Sequence, residues 1–131
     1  MTTAREYFID KDYNCAESTL RLANDRYELG LTDDEMKLVA ACGGGFSSGL
    51  NCGVLCACAA AISKKLVETK SHDCEALKPT MIEFVERFRE VCGGTDCSVL
   101  KPMHVKEGQR CLEMVELGEK VLAEFMEKLE K

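Results

Sequence analysis

No two of the nine cysteines in this 131-residue sequence are separated by two residues. That spacing is needed by thioredoxin-type active sites, c-type haem attachment, zinc ribbons and the cysteine run of bacterial ferredoxins, so none of these is expected. A run of eighteen apolar residues, the minimum for a membrane-spanning helix, is also missing. Positive charge is scarce: 17 Lys and Arg against 23 Asp and Glu leave a net charge of −6. Such a balance argues against a phosphate-neutralising surface, so neither nucleic acid nor an anionic membrane is an expected partner. Strict apolar/polar alternation and repeats at a fixed period are absent as well, which removes half-buried strands and repeat architectures. The opening stretch, MTTAREYFIDKDYN, has charges throughout and no apolar signal-peptide core, so a cytoplasmic location is expected. In a reducing compartment an odd number of cysteines fits metal binding, redox chemistry or burial better than a structural disulfide framework.

What is present describes one globular domain over residues 1–131. An apolar share of 46% with 31% charged residues suits a single hydrophobic core, and no Gly/Ser/Pro-rich linker interrupts it. Capping boxes punctuate the chain. Thr3 with Glu6 opens a short helix ending near Asp10 to Asp12, and Asn14 with Glu17 opens a second that Gly30 stops. Asp12 is a rival cap, which leaves Cys15 as either the first or the third residue of that helix. Thr32 with Glu35 opens a third helix through Met36, Val39 and Ala40, ending in Gly43, Gly44 and Gly45. Asn51 is expected to cap a central helix whose Val54, Leu55, Ala57, Ala59, Ala60, Ala61 and Ile62 are apolar nearly all round. A further helix runs from about Pro79 to Cys92 with Met81, Val85 and Phe88 inward, closed by Gly93 and Gly94. After a short segment from Cys97 to Leu100, the last helix begins at about Glu107. It presents Cys111, Val115, Gly118, Leu122, Phe125 and Leu129 on one stripe, so Cys111 faces the core. Its outer face carries Glu116 with Lys120 and Glu124 with Lys128 as i,i+4 pairs. The fold class is all-α, a single-domain bundle of about five to six helices.

Four cysteines, Cys15, Cys52, Cys74 and Cys97, directly follow an Asn or Asp. These side chains start helices, and the free N–H groups and dipole of a helix start favour a thiolate, which is both nucleophile and metal ligand. In the closest cluster, Cys52 and Cys56 are roughly 40° apart around an ideal helix while Cys58 points roughly 160° away from Cys56, so only the first two share a face. A larger site must therefore be assembled from distant cysteines, as happens when several helices begin at one end of a bundle. Convergent thiolates repel one another unless protons, a cation or oxidation relieves the charge. Cys42, Cys58, Cys74 and Cys92 read as packing residues. The Gly43 to Gly49 loop reads as a tight connection that is also able to offer N–H groups to an anion or to cluster sulfurs. His72 and His104 read as surface histidines, and Met36, Met81 and Met114 as core filler.

The order Tyr13-Asn14-Cys15-Ala16, Gly43-Gly44-Gly45-Phe46, Asn51-Cys52-Gly53-Val54-Leu55-Cys56, then Cys97 and Cys111, resembles the redox-active proteins named for a C…GCAxxG…C…C pattern. The likeness covers nearly the whole chain. That family is also similar to a domain of split-Soret cytochrome c, which implies helical architecture, frequent dimerisation and redox cofactors. The resemblance makes Cys15, Cys52, Cys97 and Cys111 the four family cysteines. Within the motif only Cys52 matches, since Asn51 and Gly53 stand for Gly and Ala, and Cys56 replaces the final Gly. No haem is implied, because no attachment motif exists.

The expectation is a small redox protein in which Cys15, Cys52, Cys97 and Cys111 bind an iron–sulfur cluster and pass electrons to an unidentified redox partner protein, possible as a homodimer. Two alternatives stand beside it. One is a metal-free thiol–disulfide protein with Cys52 as the catalytic attacking thiolate and Cys15, Cys56 or Cys97 resolving it. The other is a zinc-binding structural or interaction module. No paired carboxylate or Cys/His spacing marks a conventional enzyme.

Overall fold

A computed structural model describes residues 2–129 and shows six α-helices joined by tighter helical turns. Among the described residues there is no β-strand, only two isolated bridges. The helices are α1 (Cys15–Tyr27), α2 (Asp33–Met36), α3 (Gly53–Leu66), α4 (Leu77–Cys92), α5 (Cys97–His104) and α6 (Leu112–Leu129). The expected all-α bundle is present, and no helix is long and apolar enough to cross a membrane among the described residues.

Helix α3 occupies the centre, packed by α1, α4 and α6. Its Val54, Ala57, Cys58, Ala61 and Ile62 are completely buried, which is why its sequence has an apolar character around almost the whole circumference. Small Ala and Cys side chains let the surrounding helices approach. At Gly118 of α6 an added Cβ would lie 2.1 Å from Val54 Cγ1, so the Val54 side chain of α3 packs directly on the α6 backbone. Phe84 and Phe88 of α4 are fully buried, and Phe84 meets Phe125 of α6 edge-on with ring centroids 5.1 Å apart. The inward stripe of α4 thus runs through Phe84 and Phe88, with Met81 and Val85 only part-buried beside it.

Several expected boundaries move, each for a local reason. Helix α1 stops at Tyr27 rather than Gly30. Glu28 takes the left-handed conformation (φ 50°), and the Asn24 side chain accepts from Leu31 N and donates to Leu31 O, folding the chain back early. The third helix keeps its Thr32–Glu35 capping box but tightens after Met36 into a 3₁₀ segment, Lys37–Cys42. Only Met36 and Val39 there are buried, at the three-residue spacing that a 3₁₀ turn aligns. Asn51 does not cap α3. It pairs with Asp96, and Cys52 takes the N-cap position.

The largest revision concerns the C-terminal third. Residues 97–104 form a full helix, α5, and α6 starts at Leu112 rather than near Glu107 because Lys106 and Arg110 close a turn through Gly108. Cys111 therefore precedes the helix, and the helical stripe that would bury it does not apply. Its sulfur-bearing side chain is half-buried in a cleft instead of in the core. On α6, Glu124 pairs with Arg87 of α4 (2.9 Å). His104, expected at the surface, is 8% exposed: its Nε2–H donates to Cys92 O (2.7 Å) and its Nδ1 meets the Glu113 carboxylate. Lys106 also pairs with the Glu113 carboxylate, at 2.7 Å.

Candidate functional site

Four helix starts are brought to one side of the bundle. Asn14 caps α1 with a complete box: its Oδ1 accepts from Glu17 N (2.9 Å) and Glu17 Oε1 accepts from Asn14 N (3.0 Å). Cys15 is thereby the first residue of the helix, and Asp12 plays no capping part. The other end of the Asn14 amide donates to Ala40 O (2.8 Å), which anchors the segment leading into the glycine loop beside Cys15. The N–H groups of Gly44 and Ala16 favour a thiolate at Cys15.

Helices α3 and α5 are paired by backbone. Around the Asn51–Asp96 bridge, Cys52 N donates to Thr95 O (2.8 Å) and Cys97 N donates to Leu50 O (2.6 Å). This reciprocal pair holds Cys52 and Cys97 at adjacent helix starts. The N–H groups of Val54 and Leu55 in the first turn of α3 favour a thiolate at Cys52. Cys111 arrives from the turn before α6, directly after Arg110, whose guanidinium donates to Phe8 O (2.7 Å) and stacks on the Phe8 ring.

Cys15, Cys52, Cys97 and Cys111 line one small inner pocket of about 20 Å³. Three of them, Cys15, Cys97 and Cys111, also border an outer cleft of about 300 Å³, whose mouth carries Phe8, Lys101 and Arg110. Cys52 lies deepest, 5% exposed. Gly53 permits this closeness, since an added Cβ would stand 2.8 Å from Cys15 Sγ and 2.9 Å from Cys42 O. All nine cysteines are free thiols.

Burial and helix-start hydrogen bonds oppose each other at these sulfurs, and burial wins. Desolvation raises Cys52 to about 12 despite the two N–H groups, with Cys15 and Cys97 adding to the shift. Cys15 is raised by burial against the pull of Gly44 and Ala16 N–H. Cys111 is raised by burial and by Cys15 and Cys97, while Lys101 and Arg110 act in the opposite direction. As free thiols Cys15, Cys52 and Cys111 are thus kept neutral. A consequence is measurable in reduced, metal-free protein. Folded Cys52 holds its proton to about 12 whereas the unfolded chain releases it near 9. The stability this contributes is complete below about pH 9 and is lost as pH climbs toward 12, because the unfolded state then binds fewer protons. Urea midpoints should fall progressively across that window, and a flat profile there would contradict the buried neutral thiol.

None of the other cysteines lines the inner pocket. Cys58 is completely buried with its S–H directed to Gly118 O, Cys92 is buried under His104, and Cys74 sits in a turn against Leu66 O. Cys56 has its strongest thiol interaction with Cys42, then with Cys15. Lys101 and Arg110 escaped notice in the sequence although a signal existed. Lys101 follows Cys97 by one helical turn and so shares its face, and Arg110 directly precedes Cys111 in the chain. Among the described residues no group of three or more Cys, His, Asp or Glu is already arranged as the ligand set of one metal ion. His72 lies far from the quartet, beside Cys74 and Lys78.

The bundle thus brings four thiols, from the starts of α1, α3 and α5 and from the turn before α6, to one small pocket. The family model described as "Putative redox-active protein (C_GCAxxG_C_C)" matches residues 13–125, and the chain belongs to that family. No curated protein and no solved structure matches it significantly.

Proposed function

We propose that the protein is a small electron carrier in which Cys15, Cys52, Cys97 and Cys111 hold an iron–sulfur cluster. The observation that carries this reading is the delivery of these four thiols to one pocket by the starts of α1, α3, α5 and α6. The donor set fits the group: four soft sulfur ligands, backbone N–H groups on Cys15 and Cys52, and cations at the cleft mouth to offset the negative charge of ligated thiolates. When bound, such a cluster supplies one-electron redox chemistry at a potential set by hydrogen bonds to sulfur and by solvent exposure.

The remaining work falls to the chain. Each thiol gives up its proton on ligation, so loading releases protons and the apparent affinity rises with pH. Phe8 and the buried Met114 limit water around the sulfurs, from the outer cleft and the inner pocket respectively. Lys101 leaves positive charge at the rim, beside the Arg110–Asp12 ion pair (3.3 Å), and an acidic redox partner protein would dock there. The metal-free alternative with Cys52 attacking is less favoured, because a thiol raised to about 12 has only on the order of one molecule in 10⁵ ionised at pH 7.

The test is isolation without oxygen, followed by iron and acid-labile sulfide analysis and a visible spectrum. The expected result is iron and sulfide in comparable amounts with broad visible absorption. Zinc retained by fully reduced protein would replace this reading with the structural-module one. A reversible two-thiol change without any metal would replace it with thiol–disulfide chemistry.

A further inference from the structure

We propose that the outward face of α4 docks onto the same face of a second copy of this chain, the two helices lying antiparallel with a two-fold axis at Ile82. None of the residues involved lines the cysteine pocket, so the proposal stands whatever that pocket holds.

Two sides of α4 are apolar. One carries Phe84, Phe88 and Cys92 into the bundle, where all three are buried. The other bears an open groove of about 410 Å³ lined by Lys78, Met81, Ile82, Val85, Glu86 and Arg89. Ile82 stands there with 57% of its surface exposed, and Met81 and Val85 are half-buried beside it. The charges around this strip are unused. Glu75, Lys78, Glu86 and Arg89 form no ion pair among the described residues, whereas Arg87 on a neighbouring face is engaged by Glu90 and Glu124.

The order of those charges names the occupant. Lys78 and Glu86 lie four residues before and after Ile82, while Glu75, in the turn before α4, and Arg89 lie seven before and after it. On an α-helix Lys78, Glu86 and Arg89 fall within about 40° of Ile82 around the axis, so they share its face. A two-fold axis at Ile82 therefore brings Lys78 of each copy level with Glu86 of the other, and Arg89 of each level with Glu75 of the other. Opposite charges meet in four places, flanking an Ile82–Ile82 contact that Val85 of each copy borders. The face is thus complementary to itself, as an interface between two identical surfaces must be. A parallel pair would set Lys78 against Lys78 and Glu86 against Glu86, which like-charge repulsion disfavours. Each copy carries a net charge of −6, so unmatched encounters are repulsive and the matched seam selects this register. One helix face from each copy makes a small interface, so the association is reversible.

The experiment measures the mass of the full chain by sedimentation equilibrium over a range of concentrations, in excess reductant so that no disulfide links the copies. A reversible monomer–dimer equilibrium is expected. Ile82→Asp should weaken association by at least about a hundredfold, because it sets two carboxylates against each other at the axis. Glu86→Lys should weaken it by at least about tenfold, by facing Lys78 with a second lysine on both sides of the axis. Adding Lys78→Glu to that variant restores opposite charges in the same places, and association should recover most of what the single change removed. All three side chains are exposed, so the circular dichroism of each variant should match that of the parent. The proposal is overturned if the chain stays monomeric at every concentration, if the dimer is indifferent to Ile82→Asp or to Glu86→Lys, or if reversing both charges recovers nothing.

Discussion

Protein carrying Cys52→Ser is expected to lose its bound iron and sulfide by at least about tenfold while remaining folded. The two halves of this result have different causes. Cys52 is the most buried sulfur of the pocket, so no water ligand can readily substitute for it, and the first-turn N–H groups of Val54 and Leu55 favour its thiolate. Serine offers a hydroxyl that ligates iron poorly and ionises far less readily. Position 52 is also the N-cap of α3, where no side chain currently accepts a hydrogen bond. Serine is among the best N-cap residues, so the metal-free variant should match the parent or exceed it by up to ~1 kcal/mol. Cys15→Ser, Cys97→Ser and Cys111→Ser should lose the cofactor similarly, and Cys74→Ser should keep it. Retention of full iron and sulfide by Cys52→Ser would remove that residue from the site.

The second large effect lies in the bundle. Gly118→Val is expected to destabilise the protein by roughly 3 kcal/mol, the upper part of the range for overpacked cores. Even a Cβ at 118 would overlap Val54 Cγ1 at 2.1 Å, and two further methyl carbons have nowhere to go. Val54 offers little relief because it is fully buried and its branched side chain has one favoured helical rotamer. A downward shift of roughly 10 °C in the thermal midpoint is the corresponding observation. Adding Val54→Ala should recover part of the loss, since the two substitutions share one contact. The crossing also spaces the starts of α3 and α6, so cofactor loading of Gly118→Val should fall along with stability. An unchanged midpoint would mean that the two helices do not meet this closely.

Much of the fold was legible because its signals are local. The Asn14–Glu17 and Thr32–Glu35 boxes announce helix starts through hydrogen bonds spanning three residues, and both form. The all-round apolar character of α3 likewise follows from its central position. Failures occurred where distant residues decide. Asn51 looks like a cap in isolation, but Asp96, far along the chain, takes it into a bridge and leaves Cys52 at the helix start. The apolar stripe that includes Cys111 presumes a helix where residues 106–110 form a turn, and His104 lies in a polar segment whose burial depends on Cys92 and Glu113. The same holds for the site. Helix-start chemistry singled out Cys15, Cys52 and Cys97, yet it also selected Cys74, which lies in a separate turn, and passed over Cys111. Only the packing of α1, α3, α5 and α6 distinguishes them.

The claim that these four thiols act as one cofactor site is tested most directly by mapping the alkylation of every cysteine in the same anaerobic preparation, before and after chelation and acid removal of the cofactor. Joint protection of Cys15, Cys52, Cys97 and Cys111, released together when the cofactor leaves, is the predicted result. The account is contradicted if the four react independently of one another and of cofactor removal, or if the residues released by it are a different set.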